Sequence, residues 1–228
     1  MTVKLIWLGH ATWLVESEQH RLIIDPFLTD NPAATFPADQ VEVGFVLITH
    51  GHFDHVADAA SIANRCGATL VASYEVATWF SEKHSVASTL GMNIGGAVQM
   101  PFGNLKMTHA ILSSQLPDGS YGGTAGGFLL EIGGKRVYFA GDTALFSDLQ
   151  LIGRCGLDVA VLPIGDLFTM GPGDSVQAAK WLEAKLVLPS HFGTWPPIDQ
   201  DAAEWVAMIQ AQSSSKALVP ILNKPIEL

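Results

Sequence analysis

The chain has 228 residues, 22 of them acidic and 12 basic, for a formal net charge of −10. That balance argues against gripping a nucleic-acid backbone, which needs a basic face, although bound divalent cations would still admit a small anionic ligand. An apolar share of 48% is enough for a substantial core in one domain, and the two cysteines, Cys66 and Cys155, form no CxxC motif and read as buried free thiols suited to a reducing cytoplasm.

Residues 3–8 read as a buried strand that ends at Gly9-His10; this opening has one lysine and no small-residue cleavage site, so it is not expected to be a signal peptide. Strands follow at 12–16 and 21–24, joined by a turn at 17–20 and stopped by Asp25-Pro26. Residues 29–40 are loop-like in composition. A compact apolar strand over 43–49 then runs into a histidine cluster. Helical spacing covers 58–66, where Gly67 ends it, and 75–83, with a strand at 69–72 between them. Residues 91–96 read as turn. From residue 105 the pattern restarts, with strands at 105–108, 127–132 and 137–140 and a hairpin turn at Gly133-Gly134. Strands at 159–163 and 186–188 flank a helix at 175–184, and a helix at 201–210 precedes a strand at 217–221. Hairpin strands followed by strand-helix alternation, occurring twice, predict an αββα sandwich with mixed sheets inside and helices outside. Its two pseudo-repeated halves would cover about 1–104 and 105–228 of a single 1–228 domain. Apolar runs such as 45–48 and 159–162 are strand-sized, far too short to span a membrane.

Chemistry concentrates in Thr49-His50-Gly51-His52-Phe53-Asp54-His55, three histidines and a carboxylate within six residues. Imidazole and carboxylate suit borderline divalent metals. The i, i+2 spacing puts His50 and His52 on one side of an extended segment, and Asp54 and His55 turn away as if toward a second ion. There is no Gly-x-Ser-x-Gly elbow, neither cysteine has an activating context, and the paired glycines at 122–123 and 126–127 lack a phosphate-loop lysine. Those glycines read as a flexible lead into the next strand.

His50-x-His52-x-Asp54-His55 resembles the signature of the metallo-β-lactamase superfamily. Gly9-His10-Ala11, Ile24-Asp25-Pro26, Ala140-Gly141-Asp142-Thr143 and Ser190-His191-Phe192-Gly193-Thr194 stand where its other characteristic segments fall. The stretches 142–148, 162–166 and 168–172 are similar to a branch of small bacterial metal-dependent hydrolases related to L-ascorbate-6-phosphate lactonases. This resemblance implies that His50 and His52 hold one ion, that Asp54, His55 and His191 hold a second, and that Asp142 bridges them. It further implies one or two divalent ions, zinc foremost with manganese, nickel or iron as substitutes, and Asp54 orienting the attacking water. His10 would stand at the rim as substrate contact, proton shuttle or structural residue, and Asp25 and Asp166 would support ligand histidines.

One departure stands out. Related sequences supply a third histidine to the first ion from an Ala-x-His-Ser-Ser segment, and here Leu112 occupies that place. Either His109 turns inward to compensate, or the site keeps two histidines and the bridging aspartate, completed by water or His10. The expected activity is hydrolysis of a small ester, lactone or phosphorylated substrate, with no nucleic-acid or membrane partner. A phosphodiesterase, or a metal-binding sensor with little catalysis, is the alternative. Trp79, Phe80 and Trp195 are expected to be exposed and leave a homo-oligomer open.

Overall fold

The computed structural model describes residues 2–228. Strands β1 (Lys4–Gly9), β2 (Thr12–Glu16) and β3 (Arg21–Ile24) form an antiparallel meander, extended in parallel by β4 (Phe45–Leu47), β5 (Thr69–Ser73) and β6 (Thr89–Met92). In the second sheet β7 (Ala97–Met100), β8 (Gly103–His109), β9 (Gly126–Ile132) and β10 (Lys135–Phe139) pair antiparallel. There β11 (Val159–Pro163), β12 (Leu186–Ser190) and β13 (Lys216–Ala217) continue in parallel. The last strand, β14 (Pro225–Glu227), returns to the first sheet and pairs antiparallel with β1. Each sheet therefore has seven strands, in the orders β14-β1-β2-β3-β4-β5-β6 and β13-β12-β11-β10-β9-β8-β7, with the same succession of antiparallel and parallel pairings.

Parallel pairing demands crossovers; the loop over 25–44 makes the one from β3 to β4, and helices supply the rest. In the first half these are α1 (Phe53–Val56), α2 (Ala59–Cys66) and α3 (Tyr74–His84); in the second, α4 (Leu149–Gly153), α5 (Pro172–Leu182) and α6 (Ala202–Gln212). Period-2 alternation sorts each strand between two cores. On β3, Leu22 and Ile24 join the core between the sheets, while Ile23 packs under the helices of the first half. On β10, Val137 and Phe139 face inward, and Tyr138 lies under the helices of the second half. Burying each such side chain contributes about 1.5–3 kcal/mol, so three contiguous cores hold the αββα sandwich together. Among the described residues no helix is long and apolar enough to cross a membrane.

Several elements differ from expectation. Residues 91–96, read as turn, begin inside β6, where Gly91 is needed because a Cβ would lie 3.0 Å from the Tyr74 Cα. The chain passes between sheets at 93–96, ahead of the boundary expected near 104. The strand expected at 217–221 is only Lys216–Ala217, and β7, β14, α1 and α4 are additional. Phe80 is a core residue of α3 rather than an exposed one, and Trp79 is half-buried. Cys66 and Cys155 are half-buried, and the Cys66 thiol donates to the Val41 carbonyl at 3.3 Å.

Candidate metal centre

The cluster forms where strands of both sheets end. His10 follows β1, Asp25 follows β3, the segment 49–55 follows β4, Asp142 follows β10 and His191 follows β12. Ligand sites in α/β proteins gather at such carboxyl ends, where loops can turn side chains toward one point. The turning here is sharp: His10 (φ 53°), Asp25 (φ 46°) and His191 (φ 53°) all adopt left-handed backbone, which costs a non-glycine residue about 1–2 kcal/mol. Cross-sheet hydrogen bonds hold them there. The His191 N–H donates to the His10 carbonyl at 3.1 Å, and the Trp7 indole donates to the same oxygen at 2.9 Å. Gly141, before Asp142, has φ 63°, and a Cβ on it would fall 2.8 Å from the Gly126 carbonyl oxygen and 2.9 Å from Thr49 Cβ. The glycines at 126–127 are thus not a flexible lead but a close approach, in which the Gly126 N–H donates to the Thr49 carbonyl at 3.0 Å.

Asp25 organises the histidine motif. One of its oxygens accepts the Thr49 N–H at 2.8 Å. The other, Oδ2, accepts the Thr49 hydroxyl at 2.6 Å and the His55 Nδ1–H at 2.9 Å. With its proton committed to Asp25, the Thr49 hydroxyl can only accept from His50 Nδ1–H, 3.0 Å away. Both histidines are thereby fixed with Nε2 turned into the cluster, the arrangement metal-ligating imidazoles adopt.

At the centre, Asp142 Oδ2 lies 3.0 Å from His191 Nε2, 3.3 Å from His55 Nε2 and 3.9 Å from His50 Nε2. Asp54 Oδ2 lies 3.6 Å from His191 Nε2 and 3.8 Å from His55 Nε2. His50 Nε2 faces His52 Nδ1 at 3.0 Å. Buried His55 Nε2 and Asp142 Oδ1 nevertheless have no hydrogen-bond partner. Donors this close yet misaligned for hydrogen bonding are aimed at a common third point, which fits a cation. Two groups emerge, His10, Asp54, His55 and His191 on one side and His50, His55 and Asp142 on the other, with ligand atoms in each group within 4.8 Å of one another.

The electrostatics agree with a cation site. Burial disfavours ionised Asp54 and Asp142, yet His55 beside the first and His191 and His55 beside the second hold both well below the usual carboxylate range. Burial equally opposes charge on His191, but Asp142 and Asp54 raise it to about 9 and also hold His55 above its ordinary value. Burial depresses His50 and His52. The pocket keeps its carboxylates negative and fills with positive charge whatever is available.

His10 is not at the rim. It is fully buried, and burial lowers its pKa to about 4, so it is neutral. Its Nε2 contacts Asp54 Oδ2 at 3.0 Å and its Nδ1 contacts Thr194 Oγ1 at 2.8 Å. An ionised carboxylate can only accept, so Nε2–H donates to Asp54 and Nδ1 accepts from Thr194. His109 stays outside the cluster, exposed at the end of β8 and edge-on to Phe146 at 5.6 Å. The β8–β9 pairing holds in register as far as His109↔Gly126, so its side chain keeps to the face away from the centre. Asp166 is exposed and supports no histidine, its loop being tied through its own backbone to Met170. His20 and His84 likewise lie apart from the centre. Thr49, Thr194 and Ser113, whose hydroxyl lies 3.3 Å from His52 Nε2, were not singled out from sequence. Their adjacency to motif histidines was the available signal for the first two.

Above the carboxylates opens a cleft of about 820 Å³. Its floor includes His52, Asp54, Asp142 and His191, and its walls include Phe53, Leu112, Phe168 and Trp195. Leu112 is half-buried in this wall beside His52 and Ser113.

The family model of the beta-lactamase superfamily domain matches residues 4–191. A UPF0173 metal-dependent hydrolase of Thermus thermophilus is 47% identical over 199 residues, 87% of this chain and 88% of the relative. Another, of Pelotomaculum thermopropionicum, is 42% identical over 231 residues, 99% of this chain and 100% of the relative. Among solved structures, a metallo hydrolase from the hyperthermophilic archaeon Ignicoccus hospitalis matches with a TM-score of 0.90 and 32% identity, covering 100% of this chain and 99% of that one.

Proposed function

Because the chain belongs to the β-lactamase superfamily and, within it, to the UPF0173 metal-dependent hydrolases, we propose that its centre directs water onto a small carboxylic ester or lactone. The observation that carries this is an ionised carboxylate pair and convergent imidazoles opening directly onto a substrate-sized cleft. His50, His52, Asp54, His55, His191 and Asp142 would hold one or two divalent ions, zinc foremost, with manganese, nickel or iron also suited to a nitrogen and oxygen donor set. Such an ion supplies a water polarised at neutral pH and positive charge for the oxyanion. Asp54 would orient that water, and the Thr194-His10 chain holds the Asp54 oxygen in place. His10 is a positioning residue.

Stripping the protein with chelator should abolish hydrolysis of an ester and lactone panel, and zinc, manganese or nickel should restore it. Undiminished turnover by metal-free protein would overturn the reading. A metal-binding sensor is the second reading, favoured by Leu112 standing in the cleft wall where a donor would complete the His50-His52 pair. Stoichiometric metal without turnover on esters, lactones or bis-phosphodiesters would select it.

A further inference from the structure

The cleft carries its charged groups only at its floor. Phe53, Leu112, Leu167, Phe168, Trp195 and Pro197 make most of its wall, and Ser113 and Gln115 are the polar groups above the centre. None of the 12 lysines and arginines lines it. At its mouth Phe53, Leu167 and Phe168 are 57%, 68% and 55% exposed. Three large apolar side chains left in water around one opening mark a surface meant to be covered. Phe53 and Trp195 lie with ring centroids 6.0 Å apart and Phe27 and Trp195 with theirs at 5.9 Å, so this wall is an aromatic cluster rather than scattered side chains.

We infer that the substrate is an uncharged compound whose apolar body lies against this wall while its carbonyl reaches the centre, and that phosphorylated and carboxylate-bearing analogues are rejected. This rests on the hydrolase reading and narrows it. An anion held against this wall would lose part of its water with no guanidinium or ammonium to pair it, and an unpaired charge taken out of water is costly. It would also approach a chain of net charge −10. An alkyl chain would lose nothing and would cover the exposed rings.

The test uses the zinc-loaded full chain and pairs of lactones with identical rings, one bearing a terminal alkyl tail and one the same tail ending in phosphate. The matching lactams, which resist cleavage, are titrated calorimetrically in parallel. We expect kcat/KM for the neutral lactone to exceed that for its phosphorylated partner by at least about 100-fold, to rise with tail length, and the lactams to bind in the same order. Phe168→Arg should narrow the ratio by recovering the phosphorylated lactone. Equal or reversed preference in either assay would overturn the inference. If no lactone were cleaved but the neutral lactam still bound better, the hydrolase reading would fail and the apolar-ligand assignment would stand.

Discussion

The two sides of the metal centre are unequally built. On one side His10, Asp54, His55 and His191 are all buried and gather within 4.8 Å. On the other, His50 is buried but His52 is half-buried, Leu112 lines the wall beside them, and of the remaining donors, His55 and Asp142, His55 is shared with the first side. Ligand number and desolvation set how firmly a site holds an ion, so the side of Asp54, His55 and His191, backed by buried His10, is a cage and the other an open shelf. Shared superfamily residues are therefore compatible with unequal occupancy.

The strongest way to break this comparison is to remove one donor from each side. His191→Ala should lower metal affinity by more than about 100-fold, exceeding what a supporting residue costs, and should abolish turnover. His50→Ala should leave one ion bound, read by mass spectrometry under non-denaturing conditions; equal losses in the two variants would show the sides to be equivalent. Asp25→Ala acts on both sides at once, because Asp25 fixes His55 directly and His50 through Thr49. It should cost about 10–100-fold in metal affinity, and an unchanged zinc titration would mean that the carboxylate does not set the tautomers. Leu112→His should add a donor to the open side, raise zinc stoichiometry and leave the first equivalent's affinity unchanged. His109→Ala is its control and should bind metal as the parent does; if it emptied the open side instead, the placement of His109 would be wrong.

The smallest effect belongs to a position far from either side. Asp158 accepts from Lys185 Nζ at 2.8 Å and from the Arg136 N–H at 2.9 Å. Partial burial raises its pKa, but these bonds outweigh it and leave a net depression. A carboxyl whose folded pKa lies below its unfolded one stabilises above the unfolded pKa and loses that stabilisation as pH falls through the folded value. Asp158→Asn should thus cost about 0.5 kcal/mol at neutral pH by urea unfolding, with the difference from the parent shrinking in acid. It should leave zinc binding untouched, which separates a change in fold stability from a change in the centre.

How much of this was legible in sequence follows from physics. Strands with one face in each core announce themselves by alternation, and β2, β3 and β11 run where expected. Glycine misled where it serves packing rather than turning: Gly91 makes room for Tyr74 inside β6, and Gly126 sits against Thr49. Strand β14 opens on a proline at a sheet edge, which hides its pairing. The histidine motif was legible because four donors fall together in sequence. The burial of His10 and the Thr49-Asp25 relay were not, since both depend on loops from separate strands meeting. Nor does a β8 sequence reveal whether His109 turns in or out; the in-register pairing with β9 as far as that residue decides it.

The return of β14 to β1 sets an order of events on the ribosome. Residues 4–6 are made well before the partners that cover their outer edge, 225–227. Until then β1 offers a bare row of backbone donors and acceptors, the kind of edge that recruits strands from neighbouring chains. Yet β1 leads into His10, whose carbonyl receives the His191 N–H, so that edge and a support of the cleft floor share one strand. A nascent chain therefore carries this open edge, next to a strand that supports the centre, until 225–227 emerge.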